Sequence, residues 1–317
     1  MSITLLNLHP PAADLQRLVR DGLRRSPRQL PAWMLYDAEG SRLFAEICRQ
    51  PEYTLTQREI TLLEQHAEAI AAATGPGLVV EFGIGNARKV GPLLSALGSN
   101  VFAALDISLS ALEEALASLS TQHPSTAMVG ICCDHTRLEQ LPPLPALEGQ
   151  RRIGFFPGSS LGNFSPEEAV DFLRNARQLL AGGPLLLGLD QPREPALMEA
   201  AYDDAAGVSA AFARNLLQRL NRDLQGDADP TQFRYRAHWQ ARQQRIEMAL
   251  VSTQDQTVHL GGEAWFFRQG DAWITEHSVK YSPDAAAALA AQTGWRIQRR
   301  WTDPHHQVAL HLLLPAN

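Results

Sequence analysis

Two glycines and an acid stand where an α/β protein binds an adenosine cofactor. Gly83 and Gly85 follow the apolar segment 78–82, and Asp106 ends the next apolar segment, about 20 residues further on. Glycine lets the backbone approach a ligand closely, and a carboxylate at that spacing typically accepts hydrogen bonds from ribose hydroxyls. Because a tight turn without a ligand would need the same glycines, the glycines alone are a weak signal.

The residues around this turn favour S-adenosylmethionine over a dinucleotide. A dinucleotide-binding turn has Gly or Ala at its sixth position, where the pyrophosphate meets a helix, and this chain has Arg88 there. Glu81, just before the first glycine, suits the cationic and phosphate-free end of S-adenosylmethionine. Lys89 and Lys280 are the only lysines of the chain, and an ammonium at position 89 suits the single carboxylate of the methionine moiety. A chance placement of either lysine stays open.

The composition indicates a globular protein and disfavours several classes. A chain of 317 residues with 45% hydrophobic content can form one elaborated domain or two. The net charge of −6 disfavours a nucleic-acid-binding surface. Three cysteines without CxxC spacing predict a reducing cytoplasm, with neither a disulfide framework nor a metal site. We expect neither secretion nor a membrane span, and we expect a monomer.

Apolar and amphipathic segments alternate along the chain. This alternation predicts an α/β fold with a parallel sheet covered on both faces and ligands beyond the carboxyl ends of its strands. Asn86 is a suitable N-cap for a helix from Ala87 onward. A final helix and two strands predict a closing antiparallel hairpin, which is usual in Rossmann-like class I methyltransferases and unusual in dehydrogenases. The predicted strands are 77–82, 101–105, 127–133, 152–156, 184–189, 295–301 and 308–314, and the predicted helices include 109–119, 166–180 and 283–293.

The pattern changes between residues 190 and 282. A long helical segment at 196–224 and a turn-rich separator at 226–230 precede strand-like segments at 245–251, 257–260 and 272–281. With the N-terminal segment, this insertion predicts a second α+β domain for substrate recognition. The predicted boundaries are 59–194 and 282–317 for the cofactor-binding domain, and 1–58 and 195–281 for the substrate-recognition domain.

A polar loop at residues 155–164 follows the fourth predicted strand. Its glycines, two serine hydroxyls and the amide of Asn163 can surround a small polar acceptor of a methyl group. The alternative is a plain strand-to-helix connection, capped by Asn163 or Ser165 before Pro166. We predict that Ser165 is the cap and that Asn163 faces the ligand.

The strand-like segment 273–281 carries a second polar pattern. Its alternation places Glu276, Ser278 and Lys280 on one face and His277 on the other. A carboxylate and a hydroxyl roughly 7 Å apart can hold a ring that donates one hydrogen bond and accepts another, such as imidazole. A solvated strand face is the alternative, and the spacing alone favours it.

Seven motifs spread along the chain give a specific resemblance. They are LYDxxGSxLF at 35–44, PEYxxT at 51–56, PGSSxGN at 157–163, YDDAAGV at 202–208, RIEM at 245–248, TExSxK at 275–280 and WTDP at 301–304. With these motifs the chain resembles the histidine-specific Nα-methyltransferases of ergothioneine biosynthesis. That family uses S-adenosylmethionine to convert histidine to its trimethylated betaine, hercynine.

The resemblance implies roles for residues at matching positions. It implies that the cofactor is held by Tyr36, Gly83, Lys89, Asp106 and Asp134, with Asp134 near the adenine amino group. It implies that the reacting end of histidine is held by Asn163 and Tyr202, with Gly158 lining the amine pocket. It implies that the imidazole is bound by Tyr53, Glu276 and Ser278, with Met248 packing nearby.

Some positions differ from the family pattern. Ile84 and Asn86 replace small or hydroxylated residues, Pro92 lies in the following helix, and His135 stands where an aromatic hydrocarbon is expected beside adenine. We expect these differences to change cofactor affinity rather than identity. We interpret His277 as packed or solvated, and the neighbouring His305 and His306 as part of a hairpin loop rather than a metal site.

Two alternatives remain open on the sequence alone. One is the same N-methylation of a related amino acid or small amine. The other is a non-catalytic adenosine-binding or NAD-dependent protein, which Arg88 and the closing hairpin disfavour.

Overall fold

The computed structural model of the protein describes residues 3–8, 15–85, 87–136 and 138–316. The strands are β1 (Ile3–Asn7), β2 (Arg28–Gln29), β3 (Leu78–Phe82), β4 (Val101–Asp106), β5 (Ala127–Cys132), β6 (Arg152–Phe156), β7 (Leu185–Asp190), β8 (Phe233–Gln240), β9 (Arg245–Ser252), β10 (Gln256–Leu260), β11 (Glu263–Phe267), β12 (Ala272–Val279), β13 (Trp295–Thr302) and β14 (Val308–Pro315). The α-helices are α1 (Leu15–Leu23), α2 (Ala38–Ile47), α3 (Leu55–Thr74), α4 (Gly91–Leu97), α5 (Leu109–Gln122), α6 (Pro166–Leu179), α7 (Pro195–Tyr202), α8 (Val208–Leu224) and α9 (Pro283–Gln292). Short 3₁₀ helices span Ala32–Leu35, Ser160–Asn163 and Pro230–Gln232.

The chain divides into two compact units. The first combines β1 with Leu55–Pro192 and Lys280–Asn317, and the second combines residues 15–54 with Arg193–Val279. The N-terminal boundary differs from the predicted one, because β1 pairs in parallel with β5 and so belongs to the first unit. The assignment of the second unit to substrate recognition stays a prediction.

The first unit contains a mostly parallel sheet. Its eight described strands follow the order β1-β5-β4-β3-β6-β7-β14-β13, and only β14 runs in the direction opposite to the other strands. The predicted α/β sheet with a closing antiparallel hairpin is therefore confirmed. The strand order reverses between β3 and β6, and α/β sheets bind ligands beyond the carboxyl ends of the strands at such a point.

Local sequence explains where α6 begins. The Ser165 hydroxyl accepts a hydrogen bond from the Glu168 amide, and the Glu168 carboxylate accepts one from the Ser165 amide. Pro166 occupies the first turn, where its missing N–H costs nothing. This reciprocal capping confirms the prediction that Ser165 is the cap and leaves Asn163 outside the helix.

The helix after the glycine turn begins later than predicted. Residues 87–90 form a turn, and α4 starts at Gly91 with Pro92 in its first turn. A helix from Ala87 would place Pro92 in its interior, where proline removes a backbone hydrogen bond and clashes with the preceding turn. The predicted start was therefore wrong, and the predicted cap at Asn86 lies outside the described residues.

The second unit contains a sheet in the order β2-β12-β9-β8 and a separate hairpin of β10 and β11. The predicted helical segment at 196–224 is helical but interrupted, because the chain breaks between α7 and α8. At the break, Gly207 adopts φ +72°, and the Asp204 carboxylate accepts hydrogen bonds from the amides of Val208 and Ser209. The break leaves Tyr202 as the last residue of α7.

Within the parts of the chain that the structure describes, every helix is too short or too polar to cross a membrane.

Candidate active site

The glycine turn after β3 has room in front of it. Gly83 and Gly85 have φ angles of +75° and +40°, and a Cβ atom added to either glycine would have no atom within 4 Å. Positive φ favours glycine, and the open space lets a ligand approach the backbone. The turn is fixed from β4, since the Asp106 carboxylate accepts a hydrogen bond of 2.9 Å from the Ile84 amide.

Asp106 itself ends β4 at the carboxyl edge of the sheet. Its second oxygen accepts a hydrogen bond of 2.8 Å from the Ser108 amide. Burial raises the pKa of this carboxyl above its ordinary value, although the backbone donors act in the opposite direction. Because each carboxylate oxygen can accept more than one hydrogen bond, Asp106 can hold the turn and still bind a ligand hydroxyl.

Glu81 is a buried acid without a hydrogen-bond partner among the described residues. Neither of its carboxylate oxygens has one, and the residue is fully buried. Burial raises the pKa of Glu81 well above its ordinary value, which Lys89 partly opposes. An unpartnered buried carboxyl is costly unless a ligand uses it, and a cationic ligand would lower that cost. The sulfonium and ammonium of S-adenosylmethionine fit this requirement.

Lys89 forms a buried ion pair that the sequence did not predict. Its Nζ lies 2.9 Å from Oε2 of Glu59, a residue of α3 whose side chain is fully buried. Both carboxylate oxygens of Glu59 also lie 2.9 Å from the amide nitrogen of Gly158. Glu59 therefore joins the predicted cofactor residue Lys89 to the predicted amine-pocket residue Gly158.

The loop after β6 is held in an unusual conformation. Gly158 has φ +79°, and Ser159, which is not a glycine, has φ +55°. The Ser159 hydroxyl accepts a hydrogen bond of 2.9 Å from the Asp190 amide at the end of β7. Left-handed backbone at a non-glycine residue persists where its surroundings hold it, and such residues cluster at functional sites. Asn163 is half-buried at the end of this loop.

Asp134 and His135 follow β5 at the same edge of the sheet. The Asp134 carboxylate accepts hydrogen bonds from the amide and the hydroxyl of Thr136, at 3.1 Å and 2.5 Å. The His135 ring packs against Phe82 and Phe172, with ring centroids 6.2 Å and 5.9 Å apart. Burial lowers the pKa of His135, although the charges of Asp106 and Asp134 act in the opposite direction, and this shift favours the uncharged ring where an aromatic hydrocarbon was expected.

The second unit gathers most of the predicted histidine-binding side chains. The hydroxyls of Tyr202 and Ser278 are 2.8 Å apart, and the rings of Tyr53 and Tyr202 meet edge to face at 5.7 Å. Tyr36 is hydrogen-bonded to Glu276, and its pKa is raised well above the ordinary value by burial and by the charge of Glu276. Tyr36, which the resemblance assigns to the cofactor, thus contacts Glu276, a residue that the resemblance assigns to the imidazole of histidine.

The strand β12 sets the direction of these side chains. Its register with β9 shifts between Ile274 and Glu276, and beyond the shift Glu276 lies opposite Met248. Strand alternation then places Ser278 on the face of Glu276 and His277 on the other face, as predicted. Nε2 of His277 lies 3.6 Å from a Glu247 carboxylate oxygen, so His277 belongs to a separate polar group.

Lys280 departs from the predicted strand pattern. It lies beyond the end of β12, is buried, and places its Nζ 2.6 Å from Oδ2 of Asp190 in the first unit. Its ammonium therefore forms an ion pair with Asp190 at the end of β7.

The described residues contain no group of three or more His, Cys, Asp or Glu side chains arranged to hold a metal ion. His305 and His306 lie in the turn between β13 and β14, where the Asp303 carboxylate accepts hydrogen bonds from the backbone amides of His305, Gln307 and Val308.

Comparison with known proteins gives the family. A family model described as "Histidine-specific methyltransferase, SAM-dependent" matches residues 15–315. The chain belongs to this family. It is an S-adenosylmethionine-dependent methyltransferase with a class I fold, and the non-catalytic and NAD-dependent alternatives are excluded.

Relatives of this methyltransferase agree with that assignment. It is 36% identical over 308 residues to histidine N-alpha-methyltransferase of Mycolicibacterium smegmatis, with 95% of each chain covered. It is 31% identical over 299 residues to ergothioneine biosynthesis protein 1 of Neurospora crassa, with 90% of this chain and 33% of that protein covered. A solved S-adenosylmethionine-dependent methyltransferase from Clostridium acetobutylicum shares the fold, with a TM-score of 0.50, 11% identity, and coverage of 86% of this chain and 98% of that one.

The predicted site residues of this methyltransferase fall into two sets. The first unit holds the cofactor turn, the polar loop after β6 and the residues around them: Glu81, Gly83, Lys89, Asp106, Asp134, His135, Gly158 and Asn163. The second unit holds the tyrosine cluster and the side chains next to it: Tyr36, Tyr53, Tyr202, Met248, Glu276 and Ser278. Their individual roles stay predictions.

Sequence reasoning missed Glu59. It lies on the buried stripe of α3 with Leu55, Ile60 and Leu63. A charged residue on the apolar stripe of a helix was the signal that could have identified it.

Proposed function

We propose that this methyltransferase transfers three methyl groups to the α-amino nitrogen of L-histidine and gives hercynine, as in ergothioneine biosynthesis. The names of the relatives from M. smegmatis and N. crassa support this reaction and this pathway. The structural observation that carries the proposal is the pair Glu276 and Ser278 on one face of β12. Imidazole donates one hydrogen bond and accepts another, and a carboxylate with a hydroxyl supplies both complements.

The cofactor would be held by the residues at the carboxyl edge of the first sheet. Asp106 would accept the ribose hydroxyls, and Asp134 would bind the adenine amino group beside His135. Gly83 would let the ligand approach the backbone, Lys89 would attract the methionine carboxylate, and Glu81 would offset its positive charge. Tyr36 is the remaining residue that the resemblance assigns to the cofactor.

S-adenosylmethionine supplies an electrophilic methyl carbon on a positively charged sulfur atom. Because transfer to a neutral amine moves a positive charge without creating a new ion pair, the chain needs little additional charge stabilisation at the transition state. Its residues contribute mainly by orientation and by exclusion of water. Asn163 and Tyr202 would direct the lone pair of the amine, and Gly158 would leave space for the amine beside the loop.

The α-amine must lose a proton before it can react, because it is mostly ammonium at neutral pH. We propose that this proton leaves through water or a nearby acceptor, while Asn163 and Tyr202 orient the lone pair of the deprotonated nitrogen. Under this proposal no single titratable side chain acts as a dedicated base.

Paired substitutions test the assignment of the two sets. Glu276→Ala should weaken histidine binding about 5- to 150-fold, because a buried imidazole nitrogen loses its partner at a cost of about 1–3 kcal/mol. It should leave the affinity for S-adenosylhomocysteine within about twofold of the unsubstituted protein. Asp106→Ala should do the reverse. Calorimetry with both ligands measures this, and equal losses of both affinities in both variants would contradict the assignment.

A further inference from the structure

Glu59 occupies a tightly packed position in the first unit. Its carboxylate is fully buried, lies 2.9 Å from the ammonium of Lys89, and accepts the Gly158 amide hydrogen with both oxygens. Buried carboxylates are retained where charged and hydrogen-bonding partners compensate the loss of water, and Glu59 has both.

Two glycines near this carboxylate leave no space for a larger residue. A Cβ atom at Gly188 in β7 would lie 1.9 Å from Oε1 of Glu59. A Cβ atom at Gly158 would lie 2.9 Å from Nζ of Lys89, at a residue whose φ of +79° already favours glycine. Larger residues at these positions would displace Glu59 or Lys89, so the close packing fixes both charged groups.

The segments that Glu59 joins are those that the proposed reaction must align. Lys89 follows the cofactor turn, and Gly158 begins the loop that ends at Asn163. A displacement of about 1 Å between reacting groups can cost a hundredfold in rate. A single carboxylate bonded to both segments limits such a displacement.

We propose that Glu59 is a positioning residue. Through Gly158 and Lys89 it holds the loop after β6 in a fixed position relative to the cofactor turn. This inference rests on the proposed N-methylation for its kinetic consequence. Its structural consequence, an ordered loop, is independent of the substrate.

Glu59→Gln tests the inference with little change of shape. The glutamine side chain keeps one oxygen that can accept the hydrogen bond from the Gly158 backbone N–H. The substitution removes the negative charge that pairs with Lys89. We expect kcat for histidine methylation to fall roughly 10- to 100-fold, while KM for histidine changes less than about threefold. We also expect the amides of residues 158–163 to exchange hydrogen for deuterium at least about tenfold faster, as read by mass spectrometry.

Arg58→Gln is the matched control. Arg58 precedes Glu59 on α3, and its Nη1 forms a 2.9 Å ion pair with Asp303. The substitution removes this ion pair but leaves the contacts of Glu59 with Gly158 and Lys89 unchanged. We therefore expect kcat and the hydrogen–deuterium exchange of the loop to stay within about twofold of the unsubstituted protein.

The outcomes separate this inference from the proposed function. Loss of thermal stability in Glu59→Gln with unchanged kcat and unchanged loop exchange would overturn the inference. If the unsubstituted protein did not methylate histidine, the proposed function would fail, and faster loop exchange together with weaker binding of S-adenosylhomocysteine would still support the role of Glu59. Should Glu59→Gln not fold, Gly188→Ala, which crowds the same carboxylate, is expected to give the same kinetic and exchange changes, and unchanged values would overturn the inference.

Discussion

The hydroxyl oxygens of Tyr202 and Ser278 lie 2.8 Å apart, in one hydrogen bond between the end of α7 and the strand β12. The resemblance assigns Tyr202 to the reacting end of histidine and Ser278 to the imidazole. The backbone carbonyl of Tyr202 accepts a further hydrogen bond of 2.7 Å from the Tyr235 hydroxyl. The orientation of Tyr202 is thus set on two sides, and the two assigned roles are physically linked.

This link predicts non-additive substitutions. Tyr202→Phe and Ser278→Ala should each lower kcat/KM for histidine, because each removes a hydroxyl of the site. The double variant should lose less than the sum of the two effects by about 0.5–1.5 kcal/mol, since either single change already breaks their mutual hydrogen bond. Steady-state kinetics of the four proteins measures the coupling. Strictly additive effects would contradict a functional link between the two hydroxyls.

A second prediction concerns the cofactor turn. Gly83→Ala should cost about 1 kcal/mol of stability through its positive φ and should also lower the affinity for S-adenosylhomocysteine at least about tenfold, because the new methyl group enters the space in front of the turn. Gly98→Ala is the matched control, since Gly98 has φ +55° and equally open surroundings at the end of α4. It should show the stability cost with unchanged affinity. If the two variants bound S-adenosylhomocysteine with equal affinity, the prediction that the cofactor binds at the Gly83 turn would be contradicted.

Tyr36 provides a third prediction. Tyr36→Phe keeps the ring contacts to Phe44 and Phe212, whose centroids lie at 5.5 Å and 5.3 Å, and removes the hydroxyl bonded to Glu276. Because Glu276 loses a donor, kcat/KM for histidine should fall roughly 5- to 10-fold. The affinity for S-adenosylhomocysteine is measured alongside. If the affinity for S-adenosylhomocysteine fell while kcat/KM for histidine stayed unchanged, the hydrogen bond to Glu276 would have no part in histidine binding.

A fourth prediction concerns stability at acidic pH. His311 in β14 is buried, and burial, followed by the charge of Arg300, lowers its pKa from 6.5 to about 4. The unfolded chain therefore takes up this proton at a higher pH than the folded protein does. The resulting stability is fully present above pH 6.5 and is lost as the pH falls towards 4.

Urea denaturation at pH 7 and pH 5 measures this contribution. His311→Leu should reduce the difference in unfolding free energy between the two pH values by about 2 kcal/mol, because the leucine has no proton to bind. His305→Gln, at an exposed turn position, should leave the difference unchanged. An unchanged pH dependence in His311→Leu would show that His311 does not contribute.

Local patterns predicted the features that depend on a few neighbouring residues. Alternation along β12 separated Glu276 and Ser278 from His277, and Ser165 directly before Pro166 identified the start of α6. The break after Tyr202 was missed because the helical periodicity on either side outweighed the turn signal of Gly207.

Contacts between distant segments could not be predicted in this way. The partners Glu59 and Gly158 are 99 positions apart, and Asp190 meets Lys280 only after β7 and the end of β12 have folded. Local periodicity contains no information about which buried charges will pair. The two lysines were recognised as unusual, but the carboxylates that pair with them required the structure.

The proposed function requires that the protein methylates the α-amine of histidine. Mass spectrometry of the purified protein, incubated with S-adenosylmethionine and an equimolar mixture of amino acids, detects this reaction. We predict that histidine gains one, two and finally three methyl groups, about 14, 28 and 42 mass units, with fragments that place them on the α-amine while the other amino acids stay unmodified. Methylation of a different amino acid, or of the imidazole ring, would contradict the proposed function.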